Sequence, residues 1–271
     1  MTTNGINIYD GDGHVFEDQE EIRKRLPEEW LKNTAPGRID VTSLGFFNLF
    51  PALDHLRHGL CSLPEGTFQN PGPDGWVRFL DESGIQETVL YPTAALGFGR
   101  IQDPDMAIGV ARAYNDWLSE TYAARDSRIH GIALIPMQDP QAAIDELRRV
   151  VEELGFPGGM LTTTGLSSPL GSRQYWPLYE EANRLGCTLA AHGGSHLGFG
   201  FDHLGIPVGV HAMGHPFSIT VAFVSMLLHG VFDHFPNVKF GFLEAGVGWF
   251  LMAVERCTGS YPTLLPLNPR E

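Results

Sequence analysis

Short apolar runs alternate with amphipathic stretches along most of the chain. The amphipathic stretches carry apolar residues three or four positions apart, which is the spacing of one helix face. They predict helices at residues 20–31, 74–83, 174–185, 218–229 and 247–256, and two more that start at Asp103-Pro104 and Asp139-Pro140. The apolar runs predict six strands, at residues 6–8, 85–90, 129–136, 159–163, 187–191 and 238–243.

This alternation predicts an α/β fold. Uninterrupted apolar strands are expected in parallel sheets, because helices cover both faces of such a sheet. A doubly wound sheet and a (β/α)8 barrel both fit the pattern. No Gly-x-Gly-x-x-Gly motif follows a strand, so the dinucleotide-binding version of the doubly wound fold has no support. In either architecture the functional site lies at the carboxyl ends of the strands.

Residues 18–72 interrupt the regular pattern. A charged helical piece leads into a section with several glycines and prolines and with the aromatic residues Phe46, Phe47 and Phe50. A connection of this length is usually functional or mobile. Two interpretations are open, a surface excursion packed on the body of the protein or a lid over a pocket. In both, residues 1–271 form one domain, with 18–72 as an insertion after the first strand.

Charge and cysteine content narrow the partners and the compartment. The formal net charge of −14 argues against nucleic acid and anionic membranes as partners. Cys61, Cys187 and Cys257 lack disulfide or metal spacing, and no signal peptide is visible, so we expect a cytoplasmic protein. The apolar segment 217–232 is too short and too polar to span a bilayer, which predicts a buried helix. The same segment hints at a contact between copies in a homo-oligomer.

Metal-binding side chains occur where predicted strands end. Asp12 and His14 follow the first strand, and residues two apart on a strand point to the same side. His192 follows the fifth strand, and the carboxyl ends of parallel strands gather at one edge. One aspartate and two histidines can hold a divalent cation and leave positions open, which is typical of a catalytic metal site. We therefore predict that Asp12, His14 and His192 bind a divalent metal.

Further polar residues suggest the chemistry of this site. A bound cation lowers the pKa of its water towards about 7, which makes that water a nucleophile against a small-molecule substrate. Glu244, at the end of the sixth strand, is predicted to act as the acid/base, while His215 assists catalysis and orients the substrate together with Tyr91. Alone, His192 could be a hydrogen-bonded turn residue and Glu244 a helix cap. Their coincidence at strand ends favours a site.

A second group of histidines lies close by in the sequence. His211 and His215 have the helical spacing of four residues. The same region contains three residues that disfavour a helix interior: Gly209, Gly214 and Pro216. Both histidines, and His203 before them, are therefore predicted to be loop residues at the mouth of the pocket and not primary ligands.

With these residues placed, the chain resembles the amidohydrolase-related family, which includes aminocarboxymuconate-semialdehyde decarboxylase and the non-oxidative aromatic-acid decarboxylases. The resemblance runs from residue 8 to residue 257. Its most specific passage is Gly230-Val-Phe-Asp-His-Phe-Pro-Asn-Val-Lys-Phe-Gly-Phe-Leu-Glu-Ala-Gly-Val-Gly-Trp249, which is similar to the family's Gly-Val-Phe, Phe-Pro and Glu-x-Gly-x-Gly-Trp pattern. Asp10-Gly-Asp-Gly-His-Val-Phe-Glu17 is similar to the strand-one motif, and Ala191-His192-Gly193 to the strand-five ligand.

The resemblance implies a (β/α)8 (TIM) barrel that holds a divalent metal, often zinc or manganese, and of these we expect zinc. Asp12 stands where many of the decarboxylases carry His or Glu, and Glu244 stands where they carry a histidine. The leading expectation is therefore a metal-dependent hydrolase of a small organic substrate, aromatic or carboxylated. The alternative is a non-oxidative decarboxylase of an aromatic or semialdehyde carboxylic acid.

The family pattern also includes two further strands, the last of which carries a metal-ligand aspartate in a Ser-Asp-x-Pro-His-like motif. No such motif occurs before Glu271, and the proline-rich tail predicts a loop. We therefore expect a C-terminally truncated chain with about six of the eight βα units of the barrel. A third alternative follows, an inactive fragment or a partner subunit that lacks the last metal ligand.

Overall fold

The structure is a computed structural model that describes residues 6–27, 49–51, 53, 70–196, 198–205 and 207–264. The described residues form seven strands: β1 (Ile8–Val15), β2 (Ile85–Pro92), β3 (Ile129–Gly131), β4 (Ala133–Leu134), β5 (Gly158–Thr162), β6 (Thr188–His192) and β7 (Lys239–Phe242). They also form eight α-helices: α1 (Gln19–Arg23), α2 (Gly72–Ser83), α3 (Pro104–Leu118), α4 (Pro140–Glu152), α5 (Trp176–Leu185), α6 (Pro207–Leu228), α7 (Val231–His234) and α8 (Gly248–Leu264).

Local sequence signals account for several helix ends. The Asp103 carboxylate accepts a hydrogen bond from the amide of Met106, and the Asp139 carboxylate accepts one from Ala142, so both aspartates cap their helices as predicted. Gly84 ends α2 in the left-handed conformation, with φ of 73°, which glycine adopts without steric cost.

Parallel pairing joins the strands in chain order. β1, β2 and β3 form one ladder, and β4, β5, β6 and β7 form a second. Only Ile132 separates β3 from β4, and its amide donates to the carbonyl of Leu90 on β2. The two ladders therefore continue one another, and the prediction of an α/β fold with parallel strands is confirmed.

The series of strands is strongly curved. In a flat sheet, the four strand spacings of about 4.8 Å between β1 and β6 would place these strands about 19 Å apart. Instead, Asp12 Oδ1 on β1 lies 3.5 Å from His192 Nε2 on β6. This curvature brings distant strand ends to one place. Closure into an eight-stranded barrel stays a prediction, as does truncation.

Helix α6 corrects two predictions. It runs through Pro216 and begins at Pro207, so His211 and His215 lie on a helix and not in a loop. Burial of the face that carries Ile219, Ala222 and Met226 outweighs the low helix propensity of this region. The opposite face is open, so the helix expected to be buried is buried on one face only. Five of its apolar side chains are more than 40% exposed: Val208, Met213, Phe217, Val221 and Leu228.

The same helix is long and apolar enough to qualify as a membrane-crossing segment. Residues 208–228 have a mean hydropathy of 1.3 and are 39% buried within the protein, and no other helix in the described part of the chain passes this test. Length and composition alone are weak evidence, because core helices of water-soluble proteins pass the same test. The segment 217–232 was expected to be too short to span a bilayer. Most of it belongs to this longer helix, so the expected length was wrong.

The structure describes only parts of the insertion and the tail. Leu49 and Phe50 are buried, and the Phe50 ring lies 6.5 Å from that of Tyr114 on α3, so this part of the insertion packs on the body. The rest of 18–72 lies mainly outside the described residues, and the lid interpretation stays a prediction. Helix α8 extends to Leu264, so the loop predicted around Pro262 is wrong.

Candidate metal centre

Strand β1 presents two of the predicted ligands to one side. Asp12 and His14 are separated by Gly13, which pairs with Leu90 on β2. A side chain at position 13 would place its Cβ 2.8 Å from Thr88 Oγ1 and 2.9 Å from Leu90 Cδ2. Glycine at this position therefore lets β1 lie close against β2, while Asp12 and His14 on either side of it face the pocket.

Backbone carbonyls fix how the rings of the two candidate histidine ligands point. His14 Nδ1 lies 2.7 Å from the Pro92 carbonyl oxygen, and His192 Nδ1 lies 2.6 Å from that of Gly193. A carbonyl oxygen only accepts hydrogen bonds, so each Nδ1 carries a proton and donates it. In the neutral rings each Nε2 then presents a lone pair, which is the form that binds a metal.

These lone pairs converge on one carboxylate oxygen. Asp12 Oδ1 lies 3.6 Å from His14 Nε2 and 3.5 Å from His192 Nε2. Asp12 Oδ1 and His192 Nε2 are buried and have no hydrogen-bond partner among the described residues. Three acceptor atoms that face one another repel unless a cation or a proton lies between them. Donor atoms about 3.4 Å apart are expected around a tetrahedral zinc with bonds of about 2.1 Å, so the residues fit a divalent cation.

Electrostatics favour the charged form of Asp12. Burial tends to raise the pKa of its carboxyl, but the neighbouring His14 and His192 rings outweigh burial and hold the pKa well below its usual range. Burial tends to lower the pKa of His14, and the contacts with Asp12 and with the Pro92 carbonyl outweigh it and raise the pKa. The pocket therefore attracts positive charge, which a metal ion or a proton can supply.

A second carboxylate lies on the other side of His192. Glu244 follows β7, and its Oε2 lies 3.6 Å from His192 Nε2 and 3.8 Å from His215 Nε2. Its Oε1 lies 3.9 Å from His211 Nε2. Within the described residues, Glu244 is the one non-glycine residue with a positive φ, 54°. Such backbone strain is concentrated at functional sites.

Two buried histidines pack against glycine backbone beside this carboxylate. His215 is 1% exposed, His196 is 0% exposed, and their ring centroids are 4.7 Å apart. A Cβ at Gly193 would overlap His215, and one at Gly214 would overlap His196. His196 was not among the predicted site residues, because its only signal in the sequence is its place in the glycine-rich segment after His192.

Tyr91 lies next to the two candidate histidine ligands. Its ring centroid is 6.2 Å from that of His14 and 5.7 Å from that of His192, and the residue is 3% exposed. Burial, followed by the nearby Asp12 charge, raises the pKa of its phenol well above the usual range, so the phenol stays protonated. Its predicted contact with substrate stays a prediction, as do the roles of Glu244 and His215.

Comparison of the whole chain with known proteins identifies its family. A family model for amidohydrolases matches residues 9–261. The chain belongs to the amidohydrolase family. This match confirms the resemblance that was drawn from residues 10–17, 191–193 and 230–249.

Two relatives of this amidohydrolase are decarboxylases by name. The chain is 29% identical over 207 residues to 2-amino-3-carboxymuconate-6-semialdehyde decarboxylase from Dictyostelium discoideum, covering 73% of this chain and 56% of that protein. It is 38% identical over 127 residues to gamma-resorcylate decarboxylase from Polaromonas sp., covering 44% of this chain and 38% of that protein. The chain thus spans about half the length, or less, of the curated relatives it matches.

Solved structures show the same fold. An amidohydrolase from Mycobacterium avium subsp. paratuberculosis aligns with a TM-score of 0.73 at 16% identity, covering 98% of this chain and 79% of that one. A dihydroxybenzoic acid decarboxylase from Polaromonas sp., with bound manganese and the inhibitor 2-nitroresorcinol, aligns with a TM-score of 0.57 at 23% identity, covering 87% and 64%.

Proposed function

We propose that this amidohydrolase is a metal-dependent carboxy-lyase that removes carbon dioxide from a carboxylated aromatic or semialdehyde substrate without oxidation. The observation that carries the proposal is the convergence of three acceptor atoms, Asp12 Oδ1, His14 Nε2 and His192 Nε2, within 4.8 Å of one another. A histidine and a carboxylate that can carry a proton lie directly beside them. The sequence alone favoured hydrolysis. The decarboxylase names of both relatives instead support cleavage of a carbon–carbon bond.

Asp12, His14 and His192 would hold the metal. When bound, a divalent cation supplies the positive charge that attracts and orients a substrate carboxylate or phenolic oxygen. The sequence favours zinc, and the manganese in the similar Polaromonas structure supports manganese as the second candidate. We also propose that the curved strand series is part of a (β/α)8 barrel, and that the protein is cytoplasmic with a small molecule as its partner.

His215 and Glu244 handle the proton that the reaction needs. Decarboxylation of this kind begins when a proton adds to the substrate carbon that carries the carboxylate. The bond from that carbon to the carboxylate then breaks, its electron pair returns to the substrate, and carbon dioxide leaves, so no oxidant is required. His215 Nε2 lies 3.8 Å from Glu244 Oε2, a distance at which the two groups interact as charges, and either group is placed to carry a proton beside the candidate metal ligands.

Release of carbon dioxide tests the proposal. The purified chain, loaded with Zn²⁺ or Mn²⁺, is incubated with 2,6-dihydroxybenzoate and with 2-amino-3-carboxymuconate 6-semialdehyde. We expect carbon dioxide from one of them, and loss of that activity in His14→Ala. His130→Ala is the matched control, since His130 pairs with Glu87 at the surface. A metal-loaded, folded chain that hydrolyses an ester or amide panel and releases no carbon dioxide would contradict the proposal, and a chain inactive on all of them would favour the inactive-fragment alternative.

A further inference from the structure

We infer that Arg100 forms an anion-binding site beside the candidate metal centre, and that this site takes a second carboxylate of the substrate, one that stays on the product. The inference rests on the proposed function for the identity of the substrate and not for the existence of the site. It separates the two candidate substrates, because 2-amino-3-carboxymuconate 6-semialdehyde carries two carboxylates and 2,6-dihydroxybenzoate carries one.

Arg100 is a partly buried cation that lacks a carboxylate partner in the described part of the chain. It ends the 3₁₀ helix Ala94–Arg100, which follows β2, and its Nη1 donates to Ser195 Oγ at 2.8 Å. No carboxylate oxygen of the described residues lies within 4.0 Å of its nitrogens, and the nitrogens without a partner are open to solvent. The other partly buried arginines in the described ranges each pair with a carboxylate, namely Arg23, Arg25, Arg128 and Arg149.

Backbone contacts hold the turn around Arg100 in place. Gln138 Nε2 donates to the carbonyl oxygens of Phe98 and Ile101, on either side of this arginine, at 3.2 and 3.0 Å. A Cβ at Gly99 would overlap the threonine hydroxyl that ends β5, so glycine lets the turn pack directly on that strand end. A cation on a fixed turn binds an anion with a smaller loss of conformational entropy than a cation on a mobile one.

Ser195 places the guanidinium group over the strand ends. Ser195 is fully buried and lies three residues after His192, so the two Cα atoms are at most about 11 Å apart. A Cβ at Gly194, between them, would overlap the Leu96 carbonyl oxygen, so this segment packs against the 3₁₀ helix that carries Arg100. We therefore expect a substrate with one acidic group at the metal to reach Arg100 with another.

The chemistry of the guanidinium group decides the kind of ligand. Its parallel N–H groups match the two oxygens of a carboxylate. The chain has 32 acidic and 18 basic residues, so a shortage of acidic side chains does not explain why Arg100 is unpaired. A metal and Arg100 together would compensate two negative charges on one substrate. A dicarboxylate therefore fits the site better than a monocarboxylate.

Binding of isophthalate, a benzene ring with two carboxylates, tests the site without turnover. Its affinity and that of benzoate, which has one carboxylate, are measured by calorimetry in the presence of Mn²⁺. We expect wild type to prefer isophthalate by at least about 10-fold and Arg100→Met to lose this preference. Arg112→Met is the matched control, because Arg112 is exposed on α3. An equal preference in wild type and Arg100→Met, or no preference in wild type, would overturn the inference.

Two further variants separate binding from folding. Arg100→Lys keeps the charge without the parallel N–H groups, so we expect part of the preference to remain. Ser195→Ala removes the hydroxyl that orients the guanidinium group, and we expect a smaller loss than in Arg100→Met. The thermal midpoint of Arg100→Met should match that of Arg112→Met. A lower midpoint in Arg100→Met, with the full preference kept in Arg100→Lys and Ser195→Ala, would give Arg100 a structural role and overturn the inference.

Turnover distinguishes failure of this inference from failure of the proposed function. With the dicarboxylate semialdehyde, Arg100→Met should raise KM at least about 10-fold and change kcat less, because Arg100 binds a group remote from the bond that breaks. Arg100-dependent binding of isophthalate without carbon dioxide release from any substrate keeps the anion site and removes the decarboxylase activity. Carbon dioxide release with the same kcat/KM in wild type and Arg100→Met keeps the activity and overturns the anion site.

Discussion

At the scale of single residues, the site depends on backbone that approaches its imidazole rings closely. Gly193 follows His192, and a Cβ at this position would overlap Nδ1 of the His215 ring. Gly193→Ala must therefore displace His215 or the backbone that fixes the His192 ring. We expect a loss of about 1–3 kcal/mol in the free energy of unfolding, measured in urea, together with weaker Mn²⁺ binding.

Gly205→Ala is the control for that substitution. Gly205 has open space where its Cβ would lie, so alanine should fit without loss of stability or metal affinity. If both variants lose stability equally, the effect comes from the loss of glycine in general and not from the contact with His215.

Sequence spacing was sufficient to select three candidate ligands that the structure brings together. Asp12, His14 and His192 follow from two general rules, the alternation of side chains along a strand and the gathering of parallel strand ends. The sequence also placed Glu244 at a strand end. It could not predict the left-handed backbone that turns Glu244 towards His192, since that conformation results from the whole turn after β7. It also missed His196, because nothing local shows which histidine of a loop becomes buried.

At the scale of elements, Asn115 joins helix α3 to strand β4. Its side-chain amide donates to the Leu134 carbonyl at 3.0 Å and accepts from the Leu134 amide at 2.8 Å, and it also donates to Glu146 on α4. Asn115→Ala leaves two buried backbone groups of Leu134 without partners, so we expect a loss of about 2–4 kcal/mol in the free energy of unfolding. Asn183→Ala, which removes one exposed bond to the Asn237 amide, should cost less than half as much. Similar urea midpoints for the two variants would contradict this prediction.

Helices α4 and α5 are joined by an ion-pair network with a defined pH dependence. Hydrogen bonds from Arg184, opposed by burial and aided by Arg148, lower the pKa of Glu181 from 4.5 to about 2. A carboxyl with a lowered pKa stabilises the fold above its unfolded pKa, and this contribution is lost as the pH falls from about 4.5 towards 2. The arginines are half exposed, so solvent screening limits the contribution at pH 7 to about 1 kcal/mol.

Glu181→Gln tests that contribution. We expect the variant to be less stable than wild type at pH 7 by about 1 kcal/mol, and the difference to shrink as urea unfolding is repeated at pH 4 and pH 3. Glu180→Gln on the exposed face of α5 should match wild type at every pH. A difference between Glu181→Gln and wild type that stays constant with pH would argue against the ion pairs as its source.

Element boundaries were predictable where local chemistry decides them. The aspartate caps of α3 and α4 and the glycine after α2 are local signals, and these helices begin or end at the residues predicted for them. Helix α6 was predicted to begin eleven residues too late, because its first half contains Gly209, Gly214 and Pro216. Burial of one face against the strands supplies the stabilisation that local propensity lacks, and a single sequence does not reveal that burial.

At the scale of the whole molecule, the alternation of strands and helices was enough to predict a parallel α/β fold. The order of the strands was not predicted, because a doubly wound sheet and a barrel both fit the alternation. The break between β3 and β4 and the curvature that joins β1 to β6 could not be predicted. Both depend on how the strands pack side by side and not on the apolar pattern within each strand.

Exposed apolar side chains on α6 and α8 lead to a prediction about association. Val221 on α6 is 49% exposed, Leu251 on α8 is 64% exposed, and a groove of 690 Å³ between the two helices is lined by Val224, Met252 and Leu264. Apolar surface of this kind marks interaction sites.

We expect the purified chain to self-associate, and the double variant Val221→Lys, Leu251→Lys to associate less in sedimentation velocity runs. Phe79→Lys on α2, 48% exposed, should behave as wild type, and a wild-type chain that stays monomeric at all concentrations would refute the prediction.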